Sequence, residues 1–170
     1  VRRYHRRTTF LKKIELTTRQ TYGSYNFFNS YNSIGGTYKK LNYYTYFQHK
    51  QGEGWRDNSE FSQNAGFANL NYEVNKRLHI GLNLTLMEYL AKQPGGLTDA
   101  MFEENPQQSI RDRNWFKVGW NLAAVTVDFD ITENTKLNSI TYGLMASRYA
   151  LGNQSAINRQ DGLDDRNLLK

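Results

Sequence analysis

Two stretches of the chain gather side chains that could hold an anion. Trp55 and Arg56 stand in a polar segment holding Gly52, Gly54, Asp57, Asn58 and Ser59, and Gln107, Gln108, Arg111 and Arg113 stand in a longer one. A guanidinium presents its donors in a fixed planar fork, an amide adds a donor and an acceptor, and an indole offers a flat apolar wall with one N–H, so the set suits an oxygen-rich anion. Nothing comparable supports catalysis. Ser, His and Asp are all present, yet no spacing identifies a triad, and Asp128 with Asp130 alternates with apolar residues in an extended run, where solvated carboxylates are expected. No catalytic residue is assigned, and the chain is not expected to be an enzyme.

Metal and cofactor chemistry finds no foothold either. The absence of Cys removes thiolate zinc sites, iron–sulfur ligation, disulfides and a cysteine nucleophile. His5, His49 and His79 lie far apart, and none has the i, i+4 partner and adjacent carboxylate of a helical zinc motif. Gly35-Gly36 and Pro94-Gly95-Gly96 lack both the Lys-Ser/Thr ending of a phosphate loop and the third glycine of a dinucleotide fingerprint, so both are expected to be turns. No metal site and no cofactor is predicted.

The elements that would position the anion-binding set read as strands. Twelve Tyr, 9 Phe and 3 Trp against 2 Pro and 13 Gly favour strands joined by glycine turns. No uninterrupted apolar run approaches the roughly 20 residues of a transmembrane helix. The mean hydropathy of -0.78 does not exclude a membrane β-barrel, in which alternate residues of each strand face water. The formal charge of +6 would suit nucleic acid, anionic lipid or an anionic ligand.

Residues 1–13 carry Arg2, Arg3, Arg6, Arg7, Lys12 and Lys13 around His5 with no apolar run behind them, and read as a basic tail or a boundary artefact. Period-two alternation begins at Ile14 and continues through residue 150 in about seven strands. The clearest pair is Ala68, Leu70, Tyr72 and Val74, then a turn at Asn75-Lys76, then Leu78, Ile80, Leu82, Leu84 and Leu86 against His79, Gly81, Asn83 and Thr85. Further on, Phe116, Val118, Trp120 and Leu122 share one face, whereas Val125, Val127, Phe129 and Ile131 fall on the other, so a bulge near Ala124 is expected. Residues 151–170 read as loop and truncated end.

The fold class expected is all-β, an antiparallel meander of long strands forming an incomplete portion of a transmembrane β-barrel. Soluble strands average about 5–6 residues, whereas about 10 tilted residues cross a membrane, and these runs match the longer figure. Short turns at Gly35-Gly36, Asn75-Lys76 and 132–136 fall at one end, and longer segments at 50–60, 91–113 and 151–170 at the other, an asymmetry of outer-membrane barrels. Trp55, Phe61, Tyr72, Tyr89, Trp115, Phe116, Phe129 and Tyr149 near the strand ends would lie at headgroup level. The aliphatic side of each strand is then expected to touch hydrocarbon.

Several segments resemble a known family. Residues 17–25 (Thr-Thr-Arg-Gln-Thr-Tyr-Gly-Ser-Tyr), Phe27-Phe28-Asn29-Ser30, Gly35-Gly36-Thr37, Gly54 to Phe61, Tyr89 to Asp99 and Asn105-Pro106 to Phe116 are similar to strand and loop landmarks of TonB-dependent outer-membrane receptors of the ferric-citrate-receptor-like kind. The resemblance covers about Leu16 to Asn153 and implies a large plugged barrel in the outer membrane of a Gram-negative bacterium. Such a barrel imports a ferric siderophore or other scarce small ligand with energy relayed by the TonB complex. This chain then corresponds to a partial segment of the barrel, with the TonB complex reached through a missing N-terminal region. On that reading outer-membrane lipid and lipopolysaccharide are its surroundings, nucleic acid is not a partner, and the anion expected at Trp55, Arg56, Gln107, Gln108, Arg111 and Arg113 is an iron chelate. Two alternatives stay open: a soluble β-rich nucleic-acid-binding module, in which the +6 charge and interleaved rings build a stacking groove, and a small complete outer-membrane barrel.

Overall fold

The computed structural model describes residues 13–153 and the short strand Leu168–Leu169. The strands are β1 (Glu15–Gly23), β2 (Phe27–Tyr38), β3 (Leu41–Gly52), β4 (Phe61–Asn75), β5 (Leu78–Lys92), β6 (Trp115–Asp130), β7 (Lys136–Asn153) and β8 (Leu168–Leu169), with one short helix, α1 (Asp99–Glu104), between β5 and β6. They form one sheet in sequential order, each strand antiparallel to the next. The all-β meander of long strands is therefore present. Residues 151–153 belong to β7 and 168–169 form β8, where loop was expected. Most of the basic segment 1–13 lies outside the described residues.

The turns differ from expectation in an instructive way. Gly35 and Gly36 do not turn the chain; they lie buried within β2, paired with Tyr44 and Tyr43 of β3. A Cβ on Gly36 would collide with the carbonyl of Lys13, which also accepts a hydrogen bond from the Tyr43 hydroxyl at 3.1 Å, so glycine is needed there for the close approach of a neighbouring backbone. The turn falls at Lys39-Lys40, with Lys39 at φ 52°. At the other end of the sheet β1 and β2 are joined through Tyr25 (φ 59°) and Asn26 (φ 53°), and Phe27 N–H donates to the Ser24 carbonyl at 3.2 Å. Positive φ at both central residues is the hairpin geometry that matches strand twist. Asn75 initiates the β4–β5 turn by accepting from the N–H groups of Arg77 (2.8 Å) and Leu78 (3.0 Å).

Register decides which residues share a face. The row Leu16, Ile34, Thr45, Ala68, Leu84, Ala123, Gly143 runs unbroken across seven strands. The aliphatic run of β5 and Leu70, Tyr72, Val125, Val127 and Phe129 lie on this same face. The opposite face carries Tyr31, Tyr44, Tyr46, Asn69, Asn71, Asn83 and Thr126, and a cavity on it is lined by residues of β1, β2 and β3. The sheet therefore curls toward the polar face, which is concave, and presents the leucine-rich face outward.

No bulge occurs near Ala124. β6 pairs without interruption to β5 and β7, and the irregularity lies instead between Glu73 and Asn75 of β4. Because the pairing fixes the alternation, the apolar residues of β6 change faces: Phe116, Val118, Trp120 and Leu122 point to the concave side, and Val125, Val127 and Phe129 to the convex side. In β7, Ile140, Tyr142 and Leu144 are concave as well. The aliphatic side of each strand is thus not uniformly outward.

No second layer covers the sheet among the described residues. The buried apolar residues are only Ala91 and Ile110, both near the loops, while Ile80, Leu86, Val125 and Phe129 stand 39%, 53%, 41% and 36% exposed. A strand of 15 residues such as β5 is about 50 Å long, and at a tilt near 45° it spans about 35 Å, more than the apolar band of about 25 Å in an outer-membrane barrel. The outward side chains mark where that band ends. Beyond Leu86 the outward positions turn mixed: Glu88 and Lys92 stand either side of Leu90 on β5, and Lys117, Asn64 and His49 lie outward on β6, β4 and β3, with Lys117 Nζ 3.0 Å from Glu88 Oε1 and His49 Nδ1 2.7 Å from Asn64 Oδ1.

Candidate ligand-binding site at the loop end

The residues selected from sequence gather where the β3–β4 and β5–β6 connections meet. Loop 53–60 and loop 93–114 are stitched together by side chains donating to backbone carbonyls. Arg56 donates from Nη1 to Gly95 O (2.7 Å), from Nη2 to Gln108 O (2.7 Å) and from Nε to Gln108 O (3.3 Å). Asn58 Nδ2 reaches the carbonyls of Gln93, at 3.3 Å, and Arg111. In the other direction Gln107 Nε2 donates to Trp55 O at 3.3 Å, and the backbone N–H of Asp57 to Gln107 O at 2.9 Å. These carbonyls have no ladder to join, so the side chains supply the partners that the loops would otherwise lack.

Within the longer loop, Thr98 caps α1 by accepting from Met101 N–H at 3.3 Å, and Gln108 Nε2 closes back on Met101 O at 2.6 Å. Ser109 Oγ donates to Pro94 O at 3.3 Å, and Ile110 is 3% exposed. Arg111 is 5% exposed, with Nη1 donating to Ile110 O at 3.1 Å. Gly95 takes φ +78°, and a Cβ there would come within 2.6 Å of Arg111 Cγ. The β1–β2 turn joins the assembly through Asn26 Nδ2 donating to Glu53 Oε1 at 2.6 Å and Glu53 N–H to Tyr25 O at 2.8 Å.

The structure thus brings all six sequence-selected residues into one loop cluster but uses them differently. Arg56, Gln107, Gln108 and Arg111 spend hydrogen bonds on holding the loops, Arg113 is half-buried in the same loop, and Trp55 is 47% exposed. Beneath the loops an aromatic chain crosses the concave face, from Phe27 to Phe61 (6.4 Å between centroids), Phe61 to Tyr89 (6.5 Å) and Tyr89 to Phe116 (5.4 Å), with the Arg148 guanidinium 5.9 Å from the Phe116 ring centre. Of the rings expected at headgroup level, Phe61, Tyr89 and Phe116 therefore face inward, whereas Tyr72, Trp115, Phe129 and Tyr149 share the convex face. Among the described residues no group of three or more His, Asp or Glu side chains could hold a metal ion.

Lower on the concave face sits a site that sequence reading passed over. Tyr31, Tyr44 and Tyr46 cluster against Phe67, with centroid separations of 5.4 Å (Tyr31–Tyr46), 6.2 Å (Tyr44–Phe67) and 5.6 Å (Tyr46–Phe67), and the hydroxyls of Tyr31 and Tyr44 are hydrogen-bonded. The alternation of Tyr44 and Tyr46 against Tyr43 and Thr45 was the available signal; it placed the phenols on one face without saying what that face enclosed. Beside them Asn71 donates to Asn69 (2.7 Å) and Asn69 to Asn83 (2.5 Å), an amide ladder that keeps the face polar.

The long antiparallel meander, with an aliphatic-rich convex face over β4 to β6 and a concave face that mixes polar groups with rings and with the apolar residues of β6 and β7, has the architecture of a barrel wall. The crystal structure of the ferric citrate transporter FecA in its unliganded form shares it, with a TM-score of 0.66 and 19% sequence identity over 84% of this chain and 22% of that chain. The chain spans under a quarter of that transporter's length, and the likeness establishes the fold as that of a portion of its barrel. No family model and no curated protein matches the sequence.

Proposed function

We propose that the chain is part of the barrel wall of an outer-membrane TonB-dependent receptor, which takes up a ferric siderophore or a similarly scarce nutrient by binding and passage, with no catalysis of its own. The observation that carries this reading is the uncovered leucine-rich convex face of a single curled sheet: aliphatic side chains in register across β4, β5 and β6 are open, and hydrocarbon is the solvent that suits them. Lipid and lipopolysaccharide are then its surroundings in a Gram-negative cell, and the loop end faces outward, where the exposed Trp55 ring meets the ligand and Arg56 fixes the surface that presents it. Coupling to the TonB complex belongs to parts of the receptor other than this sheet.

The test is membrane flotation of the full chain expressed in a Gram-negative host. The reading predicts co-flotation with outer-membrane vesicles that survives alkaline carbonate extraction. Recovery of folded chain in the carbonate supernatant would overturn it and favour the soluble alternative.

A further inference from the structure

We propose that the turn end of the convex face is a docking surface for the phosphodiester headgroups of anionic glycerophospholipid, in the leaflet at the far end from the long loops; the inference deepens the barrel reading and rests on it. The two ends of the sheet carry opposite charge. Loops 53–60 and 93–114 hold seven carboxylates against three arginines, whereas the turns that close β2–β3, β4–β5 and β6–β7 hold Lys39, Lys40, Lys76 and Arg77 against Glu133. The carboxylates of the adjoining strand ends, Glu15, Glu73, Asp128 and Asp130, lie on the concave face. Three of them are engaged there: Glu73 with His79 at 3.9 Å, Asp128 with Asn138 at 2.5 Å and Asp130 with Lys136 at 2.9 Å.

The turn cations gather where acyl chains give way to headgroups. Tyr38, Leu41, Tyr72, Ile80 and Val127 form one convex row beside the turns, with Tyr38 and Tyr72 exposed, and phenol rings favour the membrane interface. Lys39 Nζ stands 5.4 Å from the Tyr38 ring centre, which holds its ammonium on this convex side. Lys40 Nζ donates to Val74 O at 3.0 Å and Glu73 N–H donates to Lys40 O at 2.9 Å, so the β2–β3 and β4–β5 turns are tied side by side. Their four cations are exposed and share one rim. A phosphodiester accepts from two donors at once, which the Arg77 fork supplies, while the lysines add point charge. At the loop end the outward lysines are already matched, Lys92 with Glu60 at 3.3 Å and Lys117 with Glu88 at 3.0 Å, so that rim has no comparable surplus.

The experiment uses the full chain in vesicles of zwitterionic phosphatidylcholine, carrying a small fluorophore on Leu41→Cys at the turn end or on Leu90→Cys at the loop end. Brominated phosphatidylglycerol and brominated phosphatidylcholine, at equal small fractions, are compared as quenchers. Each cation near the headgroups favours an anionic lipid about fivefold, so phosphatidylglycerol is expected to associate about 5- to 25-fold more strongly than phosphatidylcholine at position 41 and within about twofold at position 90. Lys76→Gln with Arg77→Gln should lower the preference at position 41 about fivefold. Raising the salt from about 0.1 M to about 1 M, which shortens the Debye length from about 10 Å to about 3 Å, should lower it likewise without altering the chain. Equal quenching by the two lipids at position 41, a preference as large at position 90, or one that neither the double substitution nor salt changes would each overturn the proposal and leave the barrel assignment standing. Quenching by neither lipid would overturn both.

Discussion

Replacing Arg56 by Ala removes three donors at once from the junction of the two loops: those from Nη1 to Gly95 O and from Nη2 and Nε to Gln108 O. Each charge-assisted hydrogen bond contributes roughly 1.5–3 kcal/mol when its partner stays buried, but both carbonyls regain water as the loops part, so the junction loses about 2–4 kcal/mol in total. That corresponds to an opening equilibrium raised by about 30- to 1,000-fold. The Asp57 amide reports it directly, because its N–H bridges the same two loops to Gln107 O at 2.9 Å. Hydrogen exchange at Asp57 should accelerate by that factor in Arg56→Ala, and by less in Arg56→Lys, whose ammonium keeps the charge and some donors but lacks the rigid planar fork that spans the two carbonyls. Amides in the β4–β5 ladder, such as that of Leu84, should exchange as before. An unchanged Asp57 amide in Arg56→Ala would refute the assignment of Arg56 as the clamp of the loop end.

Two further predictions concern glycines that admit no side chain. Gly81→Ala places a methyl against Thr126 Oγ1 and 3.1 Å from Asn71 Oδ1 and should destabilise the sheet by about 1–3 kcal/mol; adding Thr126→Ala, which removes the nearest clash, should restore at least about 1 kcal/mol in urea unfolding from micelles. Gly95→Ala meets both a φ of +78° and Arg111 Cγ at 2.6 Å, so it should loosen the β5–β6 loop, read as faster cleavage by added protease, while leaving the unfolding of the sheet unchanged.

Much of the sheet was legible because alternation is a local property. The run Leu78, Ile80, Leu82, Leu84, Leu86 against His79, Gly81, Asn83, Thr85 identifies β5 without any knowledge of its neighbours, and Asn75 marks its turn by chemistry visible in three residues. What failed depended on partners distant in sequence. Gly35-Gly36 looks like a turn unless one knows that the Lys13 backbone passes over Gly36. The change of face in β6 looks like a bulge unless one sees that β5 and β7 pair straight through Ala123 and Ala124, and the same pairing sets Ile140, Tyr142 and Leu144 on the concave side. The loop residues were found as a set, but their use was not readable: Arg56 and Gln107 donate to carbonyls some fifty positions away, and a carbonyl carries no sequence signature. The tyrosine-lined cavity was missed for a related reason, since it needs the register of three strands at once.

In the proposed receptor the leucine-bearing side of the sheet meets acyl chains and the other side meets water. The sequence contains no Cys, so single cysteines can be introduced at Leu84 and Val125 on one side and at neighbouring Asn83 and Ala124 on the other, each labelled with a small fluorophore in vesicles of the full chain. Quenching by brominated acyl chains at positions 84 and 125 and by aqueous iodide at 83 and 124 is the predicted pattern. Iodide quenching equal at all four positions, or protection of 84 and 125 from both quenchers, would contradict it.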